Sequence, residues 1–265
     1  MQTLLKRQLL ACASAPYRAS GQFNYRWARG KLGHDPIFAA LLDQCVFPDN
    51  ARVLDLGCGR GLLAAWFLAA EQLAAQGKWD AVATPPRGLR FRGVELVARE
   101  VACGNRALQP IYGQRVQLDV GDMRAADLGD CDAVAMLDVL HYIDHVSQDR
   151  LLDRIRTALG KGGLFVTRVG DAGGGSRFAL SRVADLGIAF AQGHRFTRVW
   201  GRPLDAWLRA LEARDFVVHA QSMSTGTPFA NVMLISRVQP SSQVESDPLM
   251  TADPPCKPYD SPQSR

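Results

Sequence analysis

The ten residues from Arg52 to Gly61, Arg-Val-Leu-Asp-Leu-Gly-Cys-Gly-Arg-Gly, constrain the fold of this chain more than any other stretch. Val53, Leu54 and Leu56 make a short strand-like run, Arg52 to Leu56, that breaks off at glycines 57, 59 and 61. Residues 60–76 follow at once, with Leu63, Phe67, Ala70 and Ala74 on one face of a helix. A strand, a tight glycine turn and an apolar helix in direct succession open a β-α-β unit. Glycine has no Cβ, so the backbone there can turn sharply and lie close to another chain segment or a ligand.

The same alternation continues downstream. Strands are expected at Phe91–Glu95, Arg115–Val120, Ala133–Leu137 and Leu164–Val169. Residues 77–90, with Pro85-Pro86, read as a loop, and a helix follows Glu95 to about Leu108. Leu151, Ile155, Ala158 and Leu159 share a helical face, with Ser147 as a cap and Gly160 as a stop. Gly173-Gly174-Gly175 opens a further helical stretch over 176–192. Pro203 starts a helix with Leu204, Trp207, Leu208 and Leu211 in register. Phe216–Ala220 and Phe229–Ser236 are close enough in sequence to pair antiparallel. The expected fold class is α/β: a Rossmann-like, doubly wound, seven-stranded sheet, mostly parallel with the last strand antiparallel, an N-terminal helical cap and a helical insertion after strand 5. Residues 1–238 form one domain, with 1–50 as the cap and 170–200 as a lid-like insertion.

Composition narrows the function classes. With 265 residues, 47% of them hydrophobic, the chain is long enough for one sizeable core. No apolar run reaches the eighteen or so residues needed to span a bilayer. Leu9-Leu10-Ala11-Cys12 looks like a lipoprotein cleavage box, but Lys6 and Arg7 leave too short an apolar run before it. Residues 3–13 therefore read as an amphipathic helix, and the protein as cytoplasmic. Six scattered cysteines without a C-x-x-C pair point to neither a disulfide framework nor a zinc site, so no metal is expected. The net charge is +5, and residues 239–265 carry about −2 of it, which leaves a mildly basic body. Such a body suits an anionic substrate or an acidic carrier protein as well as nucleic acid. That last segment is rich in Pro, Ser and Asp and is expected to be a disordered tail.

Three features fall at the carboxyl ends of successive strands, where a doubly wound sheet holds its ligand. They are the glycine turn after strand 1, Glu95 at the end of strand 2, and Asp122 in Gly121-Asp122-Met123 after strand 3. A carboxylate at 95 can accept both hydroxyls of a ribose, and one at 122 can accept an adenine amino group. A dinucleotide fingerprint, G-x-G-x-x-G, needs its third glycine at 62, which is Leu. This spacing disfavours a nicotinamide-dependent oxidoreductase.

Over roughly residues 50–237 the chain resembles the class I S-adenosylmethionine-dependent methyltransferase superfamily. The resemblance rests on Val53 to Gly61, Gly93-Val94-Glu95, Gly121-Asp122, Leu137-Asp138-Val139-Leu140-His141-Tyr142 and Lys161-Gly162-Gly163. It implies S-adenosyl-L-methionine as cofactor. Asp55, Gly57, Cys58, Gly59 and Gly61 would lie along its methionine end, Glu95 and Leu96 at the ribose, Asp122 and Met123 at the adenine, and Asp138 near the methyl group. The 40 positions between Asp55 and Glu95 exceed the compact pattern. The segment Leu137 to Tyr142 lacks the Pro-Pro-aromatic turn of enzymes that methylate nucleic-acid amines, so nucleic acid is an unlikely partner and a small-molecule acceptor is implied. The chain also looks, more loosely, like methyltransferases of bacterial aryl polyene and related pigment pathways. That likeness rests on Tyr17-Arg18 to Gly33, Leu140-His141-Tyr142-Ile143-Asp144, Arg168-Val169-Gly170-Asp171, Gly193-His194-Arg195 and Gly226 to Asn231. An acceptor borne on an acyl carrier protein would fit it. Competing readings are an RNA or protein methyltransferase and a non-catalytic cofactor-binding scaffold.

Methyl transfer from a sulfonium needs an oriented, desolvated acceptor and, for a phenol or amine, a base. His141 and Asp138 are the catalytic candidates, and Tyr17, Arg29, His141, Tyr142 and Arg168 the substrate candidates. The rival reading makes His141 a loop histidine, Tyr17 and its aromatic neighbours core, and Arg168 half of a structural ion pair. His145 reads as surface, His194 as a lid residue or neither, and His34 as part of a cap in which Asp35 precedes Pro36. Segments 17–31 and 176–192 are expected to roof the site. Truncation after Val238 is expected to leave the melting temperature unchanged, because residues 239–265 lack the apolar pattern to dock; thermal denaturation of the two chains measures this.

Overall fold

The computed structural model describes residues 3–171, 199–223 and 231–239. The expected insertion at 176–192, the loop 224–230 and nearly all of the expected tail lie outside the described residues. Three helices come first: α1 (Thr3–Ser14), α2 (Gln22–His34) and α3 (Pro36–Asp43), with a 3-10 turn at Ala15–Ser20. There follow β1 (Arg52–Leu56), α4 (Leu62–Ala75), β2 (Arg90–Glu95), α5 (Ala98–Tyr112), β3 (Val116–Val120), β4 (Cys131–Leu137), α6 (His145–Ala158) and β5 (Leu159–Gly170). The chain closes with α7 (Leu204–Glu212), β6 (Phe216–Ser222) and β7 (Asn231–Val238).

The seven strands form one sheet in the order β3-β2-β1-β4-β5-β7-β6. β1 pairs in parallel with both β2 and β4, and β7 runs antiparallel to both β5 and β6. The sheet is thus the expected Rossmann-like one, with the last strand reversed. Its order changes direction between β1 and β4. Loops leaving those two strands diverge there and open a crevice, the usual ligand position in an open α/β sheet.

Each strand feeds two cores through the period-2 alternation of its side chains. Val53, Phe91, Leu118, Ala133, Val166 and Met233 face α4 and the N-terminal helices. Leu54, Val94, Val134, Phe165 and Leu234 face α6 and α7. Helix α4 is buried almost all round from Leu62 to Ala70. A helix apolar on every face needs a cover on its outer side. Leu5, Leu9 and Ala13 of α1, with Ile37, Phe38 and Leu41 of α3, supply it. The Phe38 and Trp66 rings lie 6.2 Å apart in this layer. No helix among the described residues is long and apolar enough to cross a membrane.

Several boundaries differ from the pattern reading. Helix α4 starts at Leu62 because Gly61 takes a left-handed backbone (φ 73°) that belongs to the turn. Asp144, not Ser147, caps α6: its carboxylate accepts from the Ser147 amide at 2.9 Å. β5 begins at Leu159, opposite Cys131, and the Lys161-Gly162-Gly163 segment bulges before Leu164 rejoins Ala133. Asp35 caps α3 as expected, accepting from the Ile37 amide at 3.1 Å, with Pro36 next to it.

Helix α5 crosses the glycine turn closely at Gly104. A Cβ at that position would stand 2.4 Å from Leu118 Cδ1 and 2.7 Å from the Arg60 carbonyl oxygen. Glycine to alanine inside a helix ordinarily stabilises by roughly 0.5–1 kcal/mol. Here the backbone oxygen cannot yield cheaply, so Gly104→Ala is expected to destabilise by about 1–3 kcal/mol. Urea denaturation decides the sign.

Candidate active site

A cavity of about 440 Å³ opens over the carboxyl ends of β1, β2 and β4. Its size is that of a site for a drug-sized or cofactor-sized ligand. The glycine turn forms its floor. The Gly57 amide donates to Val94 O at 2.8 Å and the Gly61 amide to Cys58 O at 2.9 Å, which folds the turn over the end of β2. A Cβ at 57 would stand 2.4 Å from Val139 Cγ1, and one at 61 would stand 2.9 Å from Leu108 Cδ1. Gly59 differs: nothing lies within 4 Å of its Cβ position, so its backbone borders open space. Two of the glycines make room for protein, and Gly59 leaves room over the cavity floor. Cys58 beside it is buried, and burial pushes its thiol well up, so it is a packing residue and not a nucleophile.

Glu95 sits at the lip of β2, 8% exposed. One carboxylate oxygen accepts from the Gly59 amide at 3.1 Å and the other from the Val97 amide at 2.9 Å. Each oxygen keeps an unused lone pair. The adjacent Leu96 is 53% exposed and lines the cavity, an apolar surface beside a braced carboxylate. Asp122 and Met123 lie on the same wall. The Asp122 carboxylate is gripped by Arg124, from Nε at 2.9 Å and Nη2 at 2.6 Å, which holds its pKa below the usual carboxylate range. Pattern reading missed Arg124, although an arginine two residues after an aspartate in a turn is a visible signal.

Asp55 ends the β1 side of the floor. Burial, and then the Glu95 charge, push its pKa up to about 7. The opposite wall holds an ionic cluster. Arg168, 4% exposed, donates from Nε to Asp138 at 2.7 Å and from Nη2 to Asp35 at 2.7 Å, and further short bonds join it to both carboxylates. Lys31 adds a contact to Asp35 at 2.7 Å. Burial opposes ionisation of both aspartates, but the Arg168 and Lys31 charges outweigh it and hold both pKa values low. Asp138 adopts this position with a left-handed backbone (φ 61°), a conformation that a short polar side chain tolerates.

The sequence candidates divide accordingly. Asp55, Gly57, Cys58, Gly59, Glu95, Leu96, Asp122, Met123, Asp138, Tyr142 and Arg168 all line this one cavity. Gly61 lies in the turn behind it. His141 is not on the cavity wall; its ring packs against Tyr142 at 4.2 Å, and burial lowers its pKa to about 4, with Asp138 offsetting part of the effect. Tyr17 is fully buried with its hydroxyl on the Arg60 carbonyl at 2.8 Å, so it is a strut and not a substrate contact. Arg29 also lies off the cavity wall, where Trp27 and Lys31 of the same helix stand instead. Positions 27 and 31 share a helical face, and 29 falls on the other side. Arg168 is saturated by two carboxylates of the protein, which leaves it to hold the wall and not an acceptor. His194 lies outside the described residues.

A family model described as a methyltransferase domain matches residues 27–221. The chain belongs to that family. No curated protein matches the sequence. Among solved structures, human N-acetylserotonin methyltransferase in complex with SAM is similar at 16% identity and TM-score 0.56, over 86% of this chain and 59% of that one. This chain therefore spans less than two thirds of that protein. Magnesium protoporphyrin IX methyltransferase from Synechocystis PCC 6803 with bound SAH is similar at 16% identity and TM-score 0.54, over 89% of this chain and 99% of that one. The [4+2]-cyclase SpnF matches at 17% identity and TM-score 0.55, over 77% and 80%. At these identities the likeness is one of fold alone.

The Asp55 shift makes a pH prediction. Its folded pKa lies above its unfolded value near 3.9, so the native state binds the proton more tightly. Stability from this group is full below about pH 4 and is lost as pH rises through about 7, a loss of roughly 4 kcal/mol at most. Asp55→Asn is expected to be more stable than wild type at pH 8 and equally stable near pH 4. Chemical denaturation across that range compares the two.

Proposed function

We propose that this chain is an S-adenosylmethionine-dependent methyltransferase acting on a small-molecule acceptor. One observation carries the proposal: Glu95, braced by the Gly59 and Val97 amides, stands between open backbone at Gly59 and the exposed face of Leu96. This donor and acceptor set fits a nucleoside. Glu95 has lone pairs for two ribose hydroxyls, Leu96 and Met123 offer an apolar bed for the base, and Asp55 offers negative charge to an ammonium or sulfonium. When bound, the cofactor supplies an activated methyl group.

The chain's own residues then orient the acceptor and keep water out. Asp138 and Arg168 hold the β4 and β5 ends rigid, and Trp27, Phe38, Tyr142 and Ile143 wall the space above them. Burial lowers the His141 pKa to about 4 and keeps its ring neutral at physiological pH, and its packing against Tyr142 supports a positioning role behind the wall. Positioning and desolvation carry the reaction among the described residues. The aromatic wall supports an aromatic acceptor. Residues 1–34 hold six cations and no acid, which supports delivery of the acceptor on an acidic acyl carrier protein.

Calorimetric titration with S-adenosylhomocysteine and with NAD tests the class. S-adenosylhomocysteine is expected to bind and NAD not to. Glu95→Ala is expected to weaken S-adenosylhomocysteine by on the order of 1.5–3 kcal/mol, and Glu95→Gln by less, because one carbonyl oxygen remains. Tight NAD binding, or unchanged affinity in both variants, would reject the proposal.

A further inference from the structure

Helix α6 buries positions 148, 151, 152 and 155, the spacing of a single apolar face, and the last three are Leu151, Leu152 and Ile155. The first is Gln148, wholly shielded from solvent. A glutamine in a core costs desolvation and side-chain entropy that a leucine would not, and it is tolerated only where its amide is bonded. Here Nε2 donates to Trp200 O at 2.8 Å, to Leu140 O at 3.0 Å and to Ile143 O at 3.1 Å, its hydrogens shared among these carbonyls. Oε1 accepts from Arg202 Nε at 2.8 Å.

Leu140 and Ile143 bracket the short 3-10 turn Leu140–Tyr142 that follows β4. The turn closes on itself, with the Tyr142 amide donating to Val139 O at 3.1 Å, and it sets Val139, Tyr142 and Ile143 on the cavity wall. Val139 also meets the glycine turn, where its Cγ1 fills the place of a side chain at Gly57. Segment 200–202 is laced to the back of this turn. The Trp200 amide donates to His141 O at 2.8 Å. Arg202 grips the Asp149 carboxylate from Nη1 at 3.1 Å and Nη2 at 2.8 Å, and Nη2 also donates to His145 O at 2.8 Å. Gln148 and Arg202 do not line the cavity, yet every bond of the Gln148 amide ends on the turn that does or on the segment behind it.

We propose that Gln148 is a positioning residue of the site: its buried amide, held in plane by Arg202, fixes where the turn 139–143 places Val139, Tyr142 and Ile143, and so how tightly the cavity grips its ligand. This rests on the methyltransferase reading above. An apolar side chain at 148 would complete the core face of α6 but would withdraw the donor from the Leu140, Ile143 and Trp200 carbonyls. Those carbonyls would turn toward other donors, and the wall would move with them.

The test is calorimetric binding of S-adenosylhomocysteine to the full chain, beside thermal denaturation of each variant. Gln148→Met removes donor and acceptor; Gln148→Glu, ionised, keeps the acceptor for Arg202 and loses the donors. Both are expected to weaken S-adenosylhomocysteine roughly tenfold. Ile155→Ala removes packing two turns along the same face of α6, and is expected to lower the melting temperature with affinity unchanged. If the Gln148 variants fold and bind as wild type does, or if Ile155→Ala loses the same affinity, Gln148 acts only through stability: the assignment falls and the methyltransferase reading stands. If wild type does not bind S-adenosylhomocysteine, both fall. Should neither Gln148 variant fold, Arg202→Lys decides. It keeps a charge for Asp149, loses the Nε contact to Gln148, and is expected to weaken binding roughly two- to fivefold; unchanged affinity there overturns the assignment.

Discussion

Arg168 is buried between Asp35 and Asp138, and those two carboxylates come from opposite ends of the architecture. Asp35 caps α3 in the N-terminal cover, and Asp138 directly follows β4 of the sheet. The guanidinium therefore ties the cover to the sheet at the crevice where the strand order reverses. An ion pair of this kind contributes little net stability relative to apolar packing, yet breaking one partner strands a buried charge at a cost of about 3–5 kcal/mol. Its role is to fix position. With it in place, α2 lays Trp27 and Lys31 along the cavity, and the helices that cover α4 also become a wall of the site.

The floor follows a different logic. Asp55 and Glu95 are like charges on neighbouring parallel strands, both nearly buried, and among the described residues Glu95 has two amide donors but no cation. Asp55 bears the cost as a raised pKa. The floor of the cavity thus concentrates negative charge at the ends of β1 and β2.

The contrast between Tyr17 and Trp27 shows how far pattern reading reaches. Both belong to the aromatic, cation-rich stretch before Asp35. Tyr17 faces inward because the 3-10 turn at Ala15–Ser20 packs on α5 and directs its hydroxyl to the Arg60 carbonyl. Trp27 and Lys31 reach the cavity because they share one face of α2. The helical period separates Arg29 from those two, but only the packed structure shows which face looks at the cavity. His141 illustrates the opposite limit. It lies three residues from Asp138, close enough to suggest an acid-base pair. Burial against Tyr142 removes it from the wall and depresses its basicity.

Local rules were sufficient for β1, the glycine turn, Glu95 and Asp122, because strand alternation, glycine spacing and strand-end carboxylates are properties of neighbours in the chain. They also sufficed for the α/β class and the reversed last strand, since short connections leave few topologies open. Pairing across 133 positions, as between Asp35 and Arg168, leaves no mark on local pattern. The half-burial of His141 against Tyr142 and the sharing of Arg168 between two carboxylates were decided by tertiary structure alone. Each depends on the dielectric and the partners that distant segments bring to a side chain, and those exist only once the chain has packed.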